Sequence, residues 1–254
     1  MSRANRVVVL GRGAGRAAAA AAFLGGSPGV ALISDQGPQE SAAWPEGGWT
    51  AMMRDLRRLD VDCSRFRLGS DPDEIPLGRH VTTAPAATAD VLLVDMSLPP
   101  EVVRAALYHA RGKVVLEPGV SRTWVATFAP FVHLLTPTPD ALRALSDAPA
   151  DAGVPAQARD LAERLRVTVV VPVGAGTALL AAPGRTPEQI STPVDDEAVQ
   201  DQRSEDCFRG VLAALLAGKT PLVQAVRTAL HAASLLASGR LAHWPSRSEL
   251  TTLA

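Results

Sequence analysis

Cysteine and histidine are scarce in this chain, and their scarcity leaves little to build a structural metal site. The two cysteines, Cys63 and Cys207, lie far apart with no metal-like spacing, and the five histidines stand singly. No His/Cys/carboxylate cluster reads as a zinc site, so no structural metal is expected. A dominant charge is missing as well. The 25 basic and 26 acidic residues leave a formal net charge of −1, which gives no electrostatic footprint for nucleic acid or an anionic membrane. Neither a signal-like leader nor an uninterrupted apolar span of membrane length is visible. These absences lead us to expect a soluble cytoplasmic protein with no nucleic-acid or membrane partner. The 254 residues suffice for a sizeable core, and three-layer α/β folds reach this size undivided. We therefore read residues 1–254 as a single domain.

What is present is alternation. Apolar β-rich runs take turns with helical patterns almost throughout, which predicts a mainly parallel sheet covered on both faces. Val7 to Leu10, Val30 to Ser34, Val91 to Asp95, Val114 to Leu116, Val132 to Leu135, Val167 to Val173 and Ala178 to Ala182 read as strands. Helices are expected over Ala17 to Leu24, Trp49 to Leu59, Pro99 to Ala110, Pro139 to Leu145, Ala156 to Leu165, Asp206 to Ala217, Pro221 to Ser238 and a short stretch from Ser246. The stretch from Asp60 to about Val81 suggests short strands at a sheet edge. The six alanines from Ala17 to Ala22 suit a helix packed closely on a sheet, since alanine is the best helix former.

Three local patterns carry chemistry. Ser204-Glu205-Asp206 reads as a helix N-terminus, with a Ser cap followed by acidic residues that complement the positive end of the helix dipole. Gly174 and Gly176 bracket a turn between two strands, where glycine serves backbone geometry or the close approach of a ligand. Val7-Val8-Val9-Leu10-Gly11-Arg12-Gly13-Ala14-Gly15-Arg16 imitates a dinucleotide fingerprint at a strand-to-helix turn, with Asp35 at the end of the next strand. Its third glycine falls one position early, with Arg16 where close helix packing wants Gly or Ala. Cys207, at an apolar helix start, reads as a small buried residue.

Asp206-Cys207-Phe208-Arg209-Gly210, followed by a small apolar helix, resembles the C-terminal signature of the PfkB carbohydrate kinases, the ribokinase-like sugar kinases. The similarity runs in order along the chain. Ala89 to Gly119 follows the family's strand, Pro-led helix, strand and acidic-Pro-Gly turn, with Glu117-Pro118-Gly119 in the turn. Leu134-Leu135-Thr136-Pro137 matches a strand end, Val169 to Ala175 the strand and turn beside the nucleotide, and Pro245 to Leu250 the closing helix. The resemblance implies a three-layer α/β/α ribokinase-like fold with a mainly parallel central sheet. It also implies transfer of a phosphoryl group from ATP, with magnesium, to a hydroxyl of a sugar or nucleoside. Asp206 would take the proton of that hydroxyl, and Gly174, Gly176, Arg203 and Ser204 would lie at the nucleotide and its phosphates.

The chain departs from the family at several of these positions. The family's Gly-Ala-Gly anion hole is replaced by Arg203-Ser204-Glu205. Thr138 and Ala141 stand where the family has the Asn and Glu of its magnesium motif, so no carboxylate serves a metal there. Leu10-Gly11 runs directly into Arg12-Gly13, which implies loss of the substrate-gripping Asp and of the β-lid, and Arg16 falls at a substrate Asn position. Any homodimer would then use a surface other than a lid. Three readings stay open: an ATP-dependent small-molecule kinase, a non-catalytic ligand-binding or scaffold protein on the same fold, and a dinucleotide-binding oxidoreductase.

Overall fold

The computed structural model describes residues 6–11, 17–18, 20–21, 29–33, 56, 58–62, 83–149, 151–174, 176–193, 201–240, 244 and 246–252. The strands are β1 Arg6–Leu10, β2 Gly29–Ile33, β3 Val91–Asp95, β4 Lys113–Glu117, β5 Leu134–Leu135, β6 Thr168–Gly174, β7 Thr177–Ala181 and β8 Glu188–Ser191. They form one sheet in the order β2-β1-β3-β4-β5-β6-β7-β8. Pairing is parallel from β2 through β6, and β7 and β8 add antiparallel at one edge. The helices are α1 Pro100–His109, α2 Arg122–Phe128, α3 Pro139–Leu145, α4 Gly153–Leu165, α5 Gln202–Ala217, α6 Leu222–Ala237 and α7 Arg247–Thr252. Residues 17–18, 20–21 and 83–88 are also helical.

Side chains alternate across each strand, so a sheet covered on both sides needs an apolar residue at every position. Val7, Val9, Val91, Leu93 and Val115 face the layer that holds the alanine helix, α5 and α6. Val8, Leu10, Leu92, Val94, Val114 and Leu116 face the layer of α1, α2, α3 and α4. The result is three layers, α/β/α, with one core on each side of the sheet. No helix among the described residues is long and apolar enough to cross a membrane.

The described alanines of the run, residues 17–18 and 20–21, are helical and close-packed in the core. Ala17, Ala18, Ala20 and Ala21 are buried, and a Cβ built on Gly210 of α5 would lie 2.2 Å from the Ala17 carbonyl oxygen and 2.9 Å from the Ala20 Cβ. Two small-residue surfaces let the backbones touch.

Some elements differ from the sequence expectation. The short helix α2 and the edge strand β8 are new. In α2 only Val125 and Phe128 are buried, and in β8 only Ile190, so neither shows a periodicity that a sequence could display. The strand expected over Val132 to Leu135 shortens to Leu134–Leu135, because residues 129–131 form a 3-10 turn. Of the strands expected between Asp60 and Val81, one bridge is described, Asp62 to Ala31. The expected absence of the β-lid, Arg12 to Arg16 and Asp35 lie outside the described residues.

Candidate functional site

In a doubly wound sheet the strands on either side of a reversal in order send their connections to opposite faces. A crevice is left beyond their carboxyl ends. Here the reversal falls between β1 and β3, since β2 continues on one side and β4 on the other. The crevice therefore opens past Leu10 and Asp95. Gly11 shapes it, because any Cβ there would lie 2.5 Å from the Asp95 Cβ. The groove holds about 380 Å3 of space open to solvent and is lined by Val9, Asp95, Glu117, Gln202, Asp206 and Arg209, among others.

Backbone register places the first two carboxylates together: Asp95 and Glu117 are partners at the ends of β3 and β4. The other two come from one turn of α5. Glu205 and Asp206 lie four and three residues before Arg209, the helical spacing at which side chains meet. Arg209 is the single cation among the described residues that line the groove. Its Nη2 stands 2.8 Å from Glu117 Oε1 and 3.4 Å from Glu205 Oε2, and its Nη1 stands 3.5 Å from Asp206 Oδ1. The Arg209 side chain is only 4% exposed, and among the described residues Nη1 meets no hydrogen-bond partner. Gln202 Nε2 donates to Asp206 Oδ1 at 3.0 Å. The Ser97 amide and hydroxyl donate to the Asp95 carboxylate at 2.9 and 2.6 Å. Burial pushes the Glu117 carboxyl up to about 8, with Asp95, Asp206 and Glu205 adding to the effect and Arg209 opposing it.

The start of α5 corrects one expectation. Ser204 is not the cap. Asp201 caps the helix: its side chain accepts from the Ser204 amide at 2.7 Å, and the Ser204 hydroxyl accepts from the Asp201 amide at 3.0 Å. This reciprocal box satisfies two terminal donors at once, which a lone Ser cap cannot do, so the helix begins earlier than the sequence suggests. The Glu205 amide is also used, donating to the Asp201 carbonyl at 3.0 Å. Asp206 consequently sits in the second turn.

A second, shallow groove lies on the other side of this helix end. The structure brings Gly174, Gly176 and Ser204 together there with Glu205, Phe208 and Leu230. Gly176 takes φ 66°, in the left-handed region that favours glycine, so its turn role holds. Arg203 lines neither groove. Its guanidinium lies over the Trp244 ring, 5.6 Å from the centroid. Thr138 and Ala141 pair with each other as a helix cap, the Ala141 amide donating to Thr138 Oγ1 at 3.2 Å. Cys207 is buried as expected, and burial pushes its thiol up to about 12, with Arg203 opposing and Asp206 adding.

Sequence reasoning missed Arg209, Gln202 and Asp95. Arg209 carried a signal, since a cation three and four residues after two acids on an apolar helix is a pairing pattern. Among the described residues no group of three His, Cys, Asp or Glu could hold a metal ion. The amides of Ser204 and Glu205 already have partners, and three carboxylates surround one guanidinium. This donor set suits hydroxyls and cations, and does not fit a magnesium triphosphate.

The architecture and crevice define a doubly wound α/β protein with a candidate site at the switch point. Solved structures place it more closely. The ribokinase of Arabidopsis thaliana, complexed with ribose and ATP, shares 18% identity, with 99% of each chain covered and a TM-score of 0.72. The ribokinase of Thermotoga maritima shares 17%, with 98% of each chain covered and a TM-score of 0.73. The ribokinase of Cryptococcus neoformans, in complex with ADP, shares 16% over 99% of this chain and 100% of that one, with a TM-score of 0.69. This chain has the ribokinase-like fold. No protein-family model and no curated protein matches the sequence.

Proposed function

We propose that this ribokinase-fold protein binds a hydroxylated small molecule of the sugar or nucleoside class in the carboxylate-lined groove and does not transfer phosphate to it. The observation that carries this reading is the capping box at Asp201. Phosphoryl transfer depends on preorganised donors aimed at the moving charge, and a helix end is such a site only while its amides stay open. Here the Asp201 side chain takes the Ser204 amide, and the Glu205 amide lies inside the helix ladder, donating to the Asp201 carbonyl as any i→i−4 amide does. Glu205 adds a negative charge beside the same amides. Carboxylates are acceptors that grip hydroxyls well, which supports a polyol ligand.

Calorimetric titration with magnesium-ATP, with and without a panel of sugars and nucleosides, tests the reading. We expect magnesium-ATP to bind no more tightly than about 1 mM, which is only about −4 kcal/mol. Micromolar, magnesium-dependent binding would overturn it. The second reading, an ATP-dependent kinase, is favoured by Asp206 lining the groove. It predicts turnover that Asp206→Asn abolishes while nucleotide binding persists.

A further inference from the structure

Arg209 is short of one hydrogen bond and not of counter-charge. Its Nη2 stands 2.8 Å from Glu117 and 3.4 Å from Glu205, and its Nη1 stands 3.5 Å from Asp206, so the guanidinium charge is answered within the chain. That holds even where burial keeps a proton on Glu117, because Glu205 and Asp206 remain. Nη1 is different. Its approach to Asp206 Oδ1 is an ion pair and not a hydrogen bond, and among the described residues it meets no hydrogen-bond partner. A buried guanidinium N–H without an acceptor carries the desolvation cost of the group with nothing to offset it.

Position decides what supplies the acceptor. Glu117 and Asp206, which pair with the two ends of the guanidinium, both line the groove beyond β1 and β3, and Arg209 lines it with them. An oxygen seated in that groove is therefore placed to reach Nη1. Because the charge is already met, this oxygen need carry none: a guanidinium only donates, so a hydroxyl, ether or carbonyl oxygen suits Nη1, whereas a methylene or an ammonium does not. A site with a buried donor rejects the analogue that lacks the matching oxygen, since the donor is then left unpaired. We infer that Arg209 is a specificity-determining residue of the groove, its Nη1 donating to one hydroxyl oxygen of the sugar or nucleoside and discriminating against a ligand without it. This rests on the proposed function and adds the residue that selects within its ligand class.

Ribose and uridine, with the 2-, 3- and 5-deoxy and deoxyfluoro forms of their sugar, test this by calorimetry on the full chain at pH 7. Fluorine accepts a hydrogen bond weakly and donates none, so it separates a hydroxyl read by Nη1 from one read by a carboxylate. At one position the deoxy form should bind about tenfold or more weakly than its parent, with the fluoro form recovering at least about threefold of that loss. Arg209→Lys, its fold checked by thermal melts, should weaken the parent and erase the difference between the parent and that deoxy form. The ligand series on the wild-type chain decides alone if the lysine variant does not fold. Deoxy forms that all bind like their parent overturn the inference while leaving the proposed function standing. So does a fluoro form as weak as the deoxy form at every position, or a folded Arg209→Lys protein that keeps the discrimination. Binding of neither ribose nor uridine overturns the proposed function as well.

Discussion

Glu117→Gln sets two forces against each other, and the pH dependence of stability reveals which is larger. Attraction to Arg209 at 2.8 Å favours the charged carboxylate. Burial and the three neighbouring carboxylates disfavour it, and they prevail, since the carboxyl is pushed from 4.5 up to about 8. Between those two pH values the folded protein holds a proton on Glu117 that the unfolded chain has released. The stability that this group contributes is therefore complete below about pH 4.5 and is lost as the pH rises towards about 8. At about 1.4 kcal/mol per unit, the ceiling on that loss is roughly 5 kcal/mol. The Glu117 side chain is 23% exposed, so we expect about 2 kcal/mol to be realised. A glutamine keeps the shape and one acceptor for Arg209, whose charge is still met by Glu205 and Asp206. Urea unfolding at pH 5.5, 7 and 9 should show wild-type stability falling with pH and the variant falling less. The variant should be the more stable of the two at pH 9. A variant less stable than wild type at pH 9 would show that the ion pair outweighs burial, and the reasoning would fail.

Arg209→Met should be strongly destabilising, by about 3 to 5 kcal/mol at pH 8, because it leaves buried carboxylates without their cation; urea melts should show a smaller loss at pH 5, where Glu117 holds a proton. Gly210→Ala should cost at least about 3 kcal/mol in the same assay, since the new methyl meets the Ala17 carbonyl at 2.2 Å and outweighs the gain in helix propensity. A stabilised Gly210→Ala protein would contradict the close approach of the two helices. Asp201→Ala should lower stability by about 1 kcal/mol and strengthen sulfate binding, as the cap is lost and the Ser204 amide is freed. Unchanged sulfate affinity in that variant would count against a helix end closed by its own cap.

The sequence by itself determined the layers. Strands buried on both faces must be apolar at every position, so β1, β3, β4 and β6 are legible without knowledge of their neighbours, and helices between them force parallel pairing. The order of motifs from Ala89 to Leu250 was enough to point to the ribokinase-like fold, and Asp206 was legible as a residue of the groove. Elements that depend on one or two buried side chains, α2 and β8, were not legible, because a single contact produces no period. The site needed the tertiary structure for a related reason. Asp95, Glu117 and Arg209 are separated along the chain, and only sheet register and the docking of α5 bring two strand-end carboxylates to one guanidinium. Whether Ser204 caps a helix or returns a bond to Asp201 was likewise decided by where the preceding residues lead the chain. Local composition fixes what each segment must bury, whereas the charge balance of a groove is set by which segments meet, and that depends on distances no linear pattern encodes.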